Sequence, residues 1–199
     1  MSTSPRPYLT PEQYLEIERK AEYKSEYYGG EMFAMSGARR AHNVISMNIG
    51  SGLHSQLRRR RCEVYQSDMR VRVNPTGLYT YPDVVVVCGE PQFADETMDN
   101  LVNPVVLVEV LSPSTEAYDR GRKFEHYRKI ESLRQYILVA SDRMSVELYT
   151  RQESGQWLLS SAAEPGQEMD LDSIDCRLRV EDIYEKVELE PVLRPNPRP

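Results

Sequence analysis

Three short stretches are almost unbroken in apolar residues: Asp83 to Cys88 (DVVVVC), Val105 to Leu111 (VVLVEVL) and Gln135 to Ser141 (QYILVAS). Each has the length of a strand and is too short for a buried helix. A strand that is apolar at both parities is covered on both faces, so the three runs demand a sheet with a layer on either side. Between the second and third lies a charged amphipathic stretch, about Ala117 to Ile130, with Phe124 and Tyr127 on its apolar side. Strand, helix and strand in that order form a crossover unit. It makes the flanking strands parallel and points to an α/β sandwich.

The remaining elements fit around that unit. Thr10, Pro11 and Gln13 supply a helix cap, a first helical position and the far side of a capping box, which predicts a helix to about Lys20. Ser25 to Met35 reads as a turn and strand broken at Gly29-Gly30. Ile45, Ile49, Leu53 and Leu57 recur every four residues and predict a helix over about 40–60. That stripe serves the core or a partner chain. Gly50 and Gly52 within it leave room for another backbone. Glu63 to Val73 reads as one strand with a wet face through Asp68, Arg70 and Arg72. The stretch 89–104 reads as a long polar loop. Val146–Thr150 and Gln156–Ser160 read as a hairpin, and Val180 to Val187 as a last short helix. One domain over residues 1–190 is expected, followed by a loose tail at 191–199 with four prolines.

Composition narrows the function. The net charge of −6, from 25 basic and 31 acidic residues, argues against a domain held on nucleic acid by bulk charge. Arg58-Arg59-Arg60-Arg61 is the strong basic cluster, and at a helix C-terminus it offsets the macrodipole, a solvated-end reading preferred here over phosphate contact. The 13 tyrosines are scattered, with no aromatic interleaving that marks a base-stacking surface. Cys62, Cys88 and Cys176 are far apart and contain no CxxC pair, which disfavours a zinc knuckle or a disulfide framework. No signal core and no membrane-length apolar run is present, so a cytoplasmic protein is expected.

Two carboxylates sit where a carboxylate is costly. Asp83 opens one apolar strand, directly after Pro82, and Glu109 lies inside another. An ionised acid there needs a cation or dense hydrogen bonding. If the strands are neighbours, the two acids can share one hard divalent ion. The plainer reading is an acid at a strand end, solvated or capping backbone. Lys123 stands one helical turn before Tyr127 and shares its face, a place from which an ammonium can orient an attacking hydroxide. Spacing alone does not separate it from Lys129.

The segment Tyr81-Pro82-Asp83-Val84-Val85-Val86-Val87, then Val108-Glu109-Val110-Leu111-Ser112-Pro113-Ser114-Thr115, then Asp119 to Lys123 and Tyr127, resembles the Uma-type restriction-endonuclease family of the PD-(D/E)xK nuclease superfamily. The resemblance spans nearly the whole chain, and VEVLSPST is its most specific part. It implies a restriction-endonuclease-like α/β sandwich, with a mixed central sheet flanked by helices. It carries Asp83 onto the motif aspartate and Glu109 onto the motif glutamate, both as metal ligands. Position 111, where the simple pattern has lysine, is Leu111, and the resemblance places the lysine on the next helix, at Lys123. Glu26 matches an early acidic position, while Gly29 departs from an acidic one. His42 matches a histidine of the pattern and could bridge a phosphate or a metal-bound water, although a lone histidine is more often a structural hydrogen-bonding group. Asp68, on a wet strand face, divides between supporting and surface roles.

The expectation is a Mg²⁺- or Mn²⁺-dependent DNA endonuclease. In it Asp83 and Glu109 hold the ion, Lys123 positions the nucleophile, and Tyr127 orients Lys123. A homodimer is expected because a one-domain nuclease needs two sites to cut both strands. The rival readings are a nuclease fold retained as a DNA-binding or interaction module, and a hydrolase of a smaller phosphodiester.

Overall fold

The computed structural model describes residues 8–189. All three apolar runs are strands of one six-stranded sheet: β6 (Val84–Cys88), β8 (Val106–Leu111) and β9 (Gln135–Ala140). Its order is β11-β10-β9-β8-β6-β3, with β3 at Cys62–Gln66, β10 at Val146–Arg151 and β11 at Trp157–Ala162. β8 and β9 pair in parallel, as the crossover requires, and β6 runs antiparallel to β8, so the sheet is mixed. Every residue of β8 and β9 is buried. Even-numbered side chains (Val84, Val86, Val106, Val108) join one core cluster, and odd-numbered ones (Val85, Val87, Leu107, Leu111) join the other. Strand alternation thus divides one apolar sequence between two cores.

The first core lies under helix α2 (Arg40–Leu57), whose Ile45, Ile49, Leu53 and Leu57 are at most 1% exposed, so the stripe faces the core. Gly50 admits the side chain of Gln66 rather than a backbone, since a Cβ there would meet its Nε2 at 2.6 Å. The same core is closed by a two-stranded sheet, β12 (Glu168–Leu171) and β13 (Cys176–Arg179), and by α5 (Val180–Ile183). β12 and β13 have no counterpart among the sequence expectations. They are four residues each, too short for alternation to stand out.

The second core lies between the large sheet and a five-stranded one of order β2-β1-β5-β4-β7: β1 (Ser25–Tyr28), β2 (Glu31–Ala34), β4 (Arg70–Val73), β5 (Leu78–Thr80) and β7 (Asn100–Leu101). β1 and β2 are a hairpin turned by Gly29 and Gly30, with φ of 60° and 88°, a primed turn that only glycine enters freely. Helix α1 (Pro11–Glu18) begins with the expected capping box.

Four expectations need correcting. The strand expected over Glu63 to Val73 is two strands in different sheets, because the Met69 amide closes a turn onto Gln66 and the polar Ser67-Asp68 stays outside. Arg70, expected on a wet face, is 5% exposed, with its guanidinium donating to Tyr81 Oη at 2.8 Å and Asn100 Oδ1 at 2.9 Å. The loop at 89–104 contains β7, which pairs with β4. Cys62 and Cys88, 26 residues apart, meet directly across β3 and β6 and form a disulfide. Spacing in sequence could not reveal a cross-strand pair. The Pro-rich stretch 191–199 lies outside the described residues.

The expected helix over about 117–130 is composite: α3 (Glu116–Tyr118), a π-helical turn (Asp119–Lys123) and α4 (Phe124–Tyr127). In a regular α-helix each step of four residues overshoots a full turn by about 40°, so Asp119, Lys123 and Tyr127 would fan out. The wider π turn offsets that drift. All three side chains point into the structure, at 3%, 5% and 0% exposure.

Candidate active site

Glu109 is the fourth residue of β8, on its odd face among Leu107 and Leu111, and it is 4% exposed. The chain leaves β8 through Ser112–Thr115, where the Ser112 carbonyl accepts from the amides of Thr115 and Glu116 at 3.1 and 2.9 Å. This tight turn folds the next helix back over the strand end. Lys123 Nζ consequently lies 3.0 Å from Glu109 Oε1. The same ammonium is 3.0 Å from Glu26 Oε1 of β1 and 3.4 Å from Asp119 Oδ1, and it sits over the ring of Tyr118 at 5.8 Å. Tyr127 donates to Glu109 Oε1 at 2.8 Å, and Thr80 of β5 donates to Glu26.

Three carboxylates therefore surround one buried ammonium. Burial lifts the Glu109 pKa well above the usual carboxylate range, and the neighbouring Asp119, Asp83 and Glu26 add to the effect that Lys123 opposes. Burial likewise raises Asp119. Burial disfavours the Lys123 ammonium, but Glu109, Glu26 and Asp119 outweigh it and hold the lysine charged. Tyr127, raised by burial and by the adjacent Glu109, stays a protonated donor. The cluster has an excess of negative charge that a cation or a shared proton offsets.

Asp83 sits at the start of β6. Continuing the β6–β8 register by one residue sets it opposite Glu109, on the same face. Its Oδ2 accepts the Val110 amide at 2.7 Å and its Oδ1 lies 2.8 Å from His42 Nε2. His42 comes from the first turn of α2, and Ser46, one turn on, reaches the Asp83 carbonyl at 3.4 Å. Burial lowers the His42 pKa, but the Asp83 carboxylate outweighs it and the net shift is upward. The side chains of Asp83 and His42 are 14% and 18% exposed, against 6% for Glu109 and Lys123, so the cluster meets solvent on the Asp83–His42 side.

Of the residues singled out from sequence, Glu26, His42, Asp83, Glu109, Lys123 and Tyr127 are brought together. Asp68 is not: its side chain is 94% exposed and pairs with Lys24 at 2.8 Å. β3 ends before it, and Asp68 takes the surface role rather than the supporting one. Asp119 and Thr80 were missed. Asp119 was available from its spacing of four before Lys123. Thr80 reaches the cluster only through the pairing of β5 with β1. Glu18 is a third omission. Its Oε1 accepts the Ser25 amide at 2.8 Å and the Tyr81 hydroxyl at 2.9 Å. One carboxylate thereby ties down the backbone beside Glu26 and the segment leading to Asp83.

Among the described residues, no group of three or more His, Cys, Asp or Glu is disposed to hold a metal ion. Asp83 and Glu109 nevertheless fit one in kind. They are hard oxygen donors on neighbouring strands, and Mg²⁺ is commonly held by one or two carboxylates with water completing its shell.

A mixed sheet between helical and sheet layers is the architecture of a nuclease-like α/β fold, and here part-buried Asp83 and buried Glu109 lie on neighbouring strands with Lys123 on the helical segment that follows. The chain belongs to the Uma2 family, described as "Putative restriction endonuclease", whose model matches residues 11–181. Two uncharacterised proteins of Synechocystis are similar: one is 37% identical over 92% of this chain and 94% of its own length, the other 37% identical over 76% and 86%. The crystal structure of "a putative nuclease belonging to DUF820" from Anabaena variabilis superposes with a TM-score of 0.72, covering 87% of this chain and 96% of the other at 20% identity. That likeness is one of fold.

Proposed function

We propose that this chain is a divalent-metal-dependent endonuclease acting on DNA. The observation that carries the reading is the position of Lys123 Nζ, 3.0 Å from Glu109 on a strand whose neighbour presents Asp83. Asp83 and Glu109 would hold a Mg²⁺ or Mn²⁺ ion, which supplies Lewis acidity toward a phosphodiester and a water of lowered pKa. Lys123 orients the attacking water and offsets charge on the phosphate. Tyr127 fixes the Glu109 carboxylate, and Glu26 and Asp119 hold the ammonium in place. The His42–Asp83 contact orients the carboxylate that is nearest solvent.

One observation favours the second reading, a nuclease fold kept as a DNA-binding module. Glu109, Lys123 and Glu26 are all buried and satisfy one another. Cleavage of DNA that requires Mg²⁺ or Mn²⁺, stops with a chelator and is lost in Glu109→Gln would support the enzyme. Metal-independent binding without cleavage, across DNA forms and salt concentrations, would favour the module. A homodimer acting in the cytoplasm completes the proposal. Light scattering giving a monomer mass at micromolar concentration would refute the dimer. No helix among the described residues is long and apolar enough to cross a membrane.

A further inference from the structure

The face of the β1–β2 hairpin that carries Glu26 continues beyond the buried cluster. Register sets Phe33 directly opposite Glu26 and Glu31 opposite Tyr28, so Glu26, Tyr28 and Phe33 share one side of the hairpin. Glu26 is its buried end, whereas Tyr28 is 38% and Phe33 47% exposed. The two residues are diagonal neighbours across the strand pair, about 7–8 Å apart at the backbone, within reach of one planar ligand. Of the three phenylalanines, Phe93 and Phe124 pack against the second core, and Phe33 is the one held in water. Single exposed apolar residues are ordinary. An aromatic pair contiguous with a buried ionic cluster calls for a reason.

Tyr28 is also held in place. The ring of buried His126 meets it edge-on, with centroids 4.6 Å apart. β2 is the edge of its sheet, and the chain runs from it through Met35–Arg39 into α2, where Arg39 and Arg40 are exposed and His42 reaches Asp83. Aromatic faces, cations and carboxylates therefore follow one another along a single path.

We propose that the Tyr28–Phe33 face is a stacking platform for an unpaired nucleobase of a DNA strand, with the adjoining phosphodiester at Asp83 and Glu109. The role of the cluster in this proposal rests on the nuclease reading; the platform does not. A base inside a duplex has both faces covered by its neighbours and cannot be offered to Phe33. The site thus selects single strands, flaps or frayed ends over blunt duplex. Stacking tolerates any base, because every base has a π face. With a net charge of −6, the protein draws less affinity from phosphate contacts than a basic one, so stacking carries more of it.

The test is binding without cleavage: full-length protein at low salt with a chelator, a fluorescently labelled single-stranded oligonucleotide, and the blunt duplex of the same sequence, read by anisotropy. Wild type should prefer the single strand. Phe33→Ala should weaken single-strand binding roughly ten-fold and leave duplex binding unchanged. Phe33→Trp should retain affinity and have its added indole emission quenched on binding, with Trp157 measured in the wild type as background. Equal single-strand affinity in wild type and Phe33→Ala, unquenched emission, or a preference of wild type for blunt duplex would overturn the proposal. Cleavage is read in a separate assay with Mg²⁺: single-strand stacking with no cleavage there sinks only the nuclease reading, and metal-dependent cleavage of single-stranded DNA that Phe33→Ala leaves unchanged sinks only the platform.

Discussion

Lys123 Nζ lies 3.0 Å from Glu109 Oε1, although the two residues stand 14 apart in the chain and on different elements. The contact depends on the turn at Ser112–Thr115, which reverses the chain, and on the π turn, which aims Lys123 inward. It also makes the lysine a structural member of the core, since three buried acids depend on its charge.

Removing that ammonium leaves the acids uncompensated. Lys123→Ala should destabilise the fold by about 3–5 kcal/mol, the cost of breaking a buried ion pair from one side. Glu109→Gln should be far milder. It retains an acceptor for Tyr127 and removes one negative charge from an over-acidic cluster. Urea denaturation of both variants checks this, and comparable losses in the two would refute it. Activity tests are accordingly better made with Glu109→Gln than with Lys123→Ala.

The pH dependence has a definite sign. Glu109 and Asp119 are raised from ordinary values of 4.5 and 3.8, burial being the largest cause in both. The folded chain then holds protons that the unfolded chain has released. Their contribution is fully present below the ordinary values and is lost as pH rises through the folded ones. Lys123, raised from 10.5, contributes fully below that value and is lost above it. Other carboxylates, such as Asp99 beside Arg19, are lowered and contribute the opposite slope. The measurement is therefore the Tm of wild type minus that of Glu109→Gln, which should fall as pH climbs from about 4.5. A difference that rises or stays flat would contradict the assignment.

Continuous apolar runs exposed the central strands because burial on both faces leaves no polar parity to confuse the pattern. Asp83 and Glu109 stood out for the same reason: an acid is conspicuous among valines. Asp119 and Thr80 did not, since an acid in a charged helix and a threonine in a tyrosine-rich strand are ordinary until tertiary packing encloses them. Asp68 lies in a three-residue turn between β3 and β4 rather than on one continuous strand, and of its two open roles it takes the surface one. The composite helix was read as regular, its wider turn having no signature in residue spacing.

The cross-strand disulfide allows a simple check. Cys62 and Cys88 close a loop of 26 residues between the edge strand β3 and β6, the strand that begins beside Asp83. Loop-closure entropy makes such a bridge worth roughly 2–4 kcal/mol. Reduction with excess dithiothreitol should lower the Tm of wild type and leave the Cys62→Ser/Cys88→Ser double variant unaffected. Cytosolic thiol buffering keeps such pairs reduced, so thiol titration of protein isolated under alkylating conditions also tests the cytoplasmic assignment. Three reactive thiols after denaturation agree with it, and one would place the chain in an oxidising compartment.

Metal affinity discriminates among the acids. Asp83 is the member of the pair that meets solvent, and its two oxygens are already oriented by His42 and the Val110 amide. An ion that bridges β6 and β8 must displace or share the His42 contact, so Mn²⁺ binding should strengthen as His42 loses its proton. Since Asp83 raises the His42 pKa above its ordinary 6.5, binding should improve as pH rises past that value. Mn²⁺ titration followed by calorimetry should give an affinity at least ten-fold weaker in Asp83→Ala than in wild type. Asp68→Ala serves as the control, because that side chain is exposed and belongs to a separate pair with Lys24. His42→Ala should remove the pH dependence while keeping part of the affinity. If Asp83→Ala and Asp68→Ala bind Mn²⁺ as wild type does, Asp83 is a strand cap held by histidine and backbone, and the ion, if any, lies elsewhere.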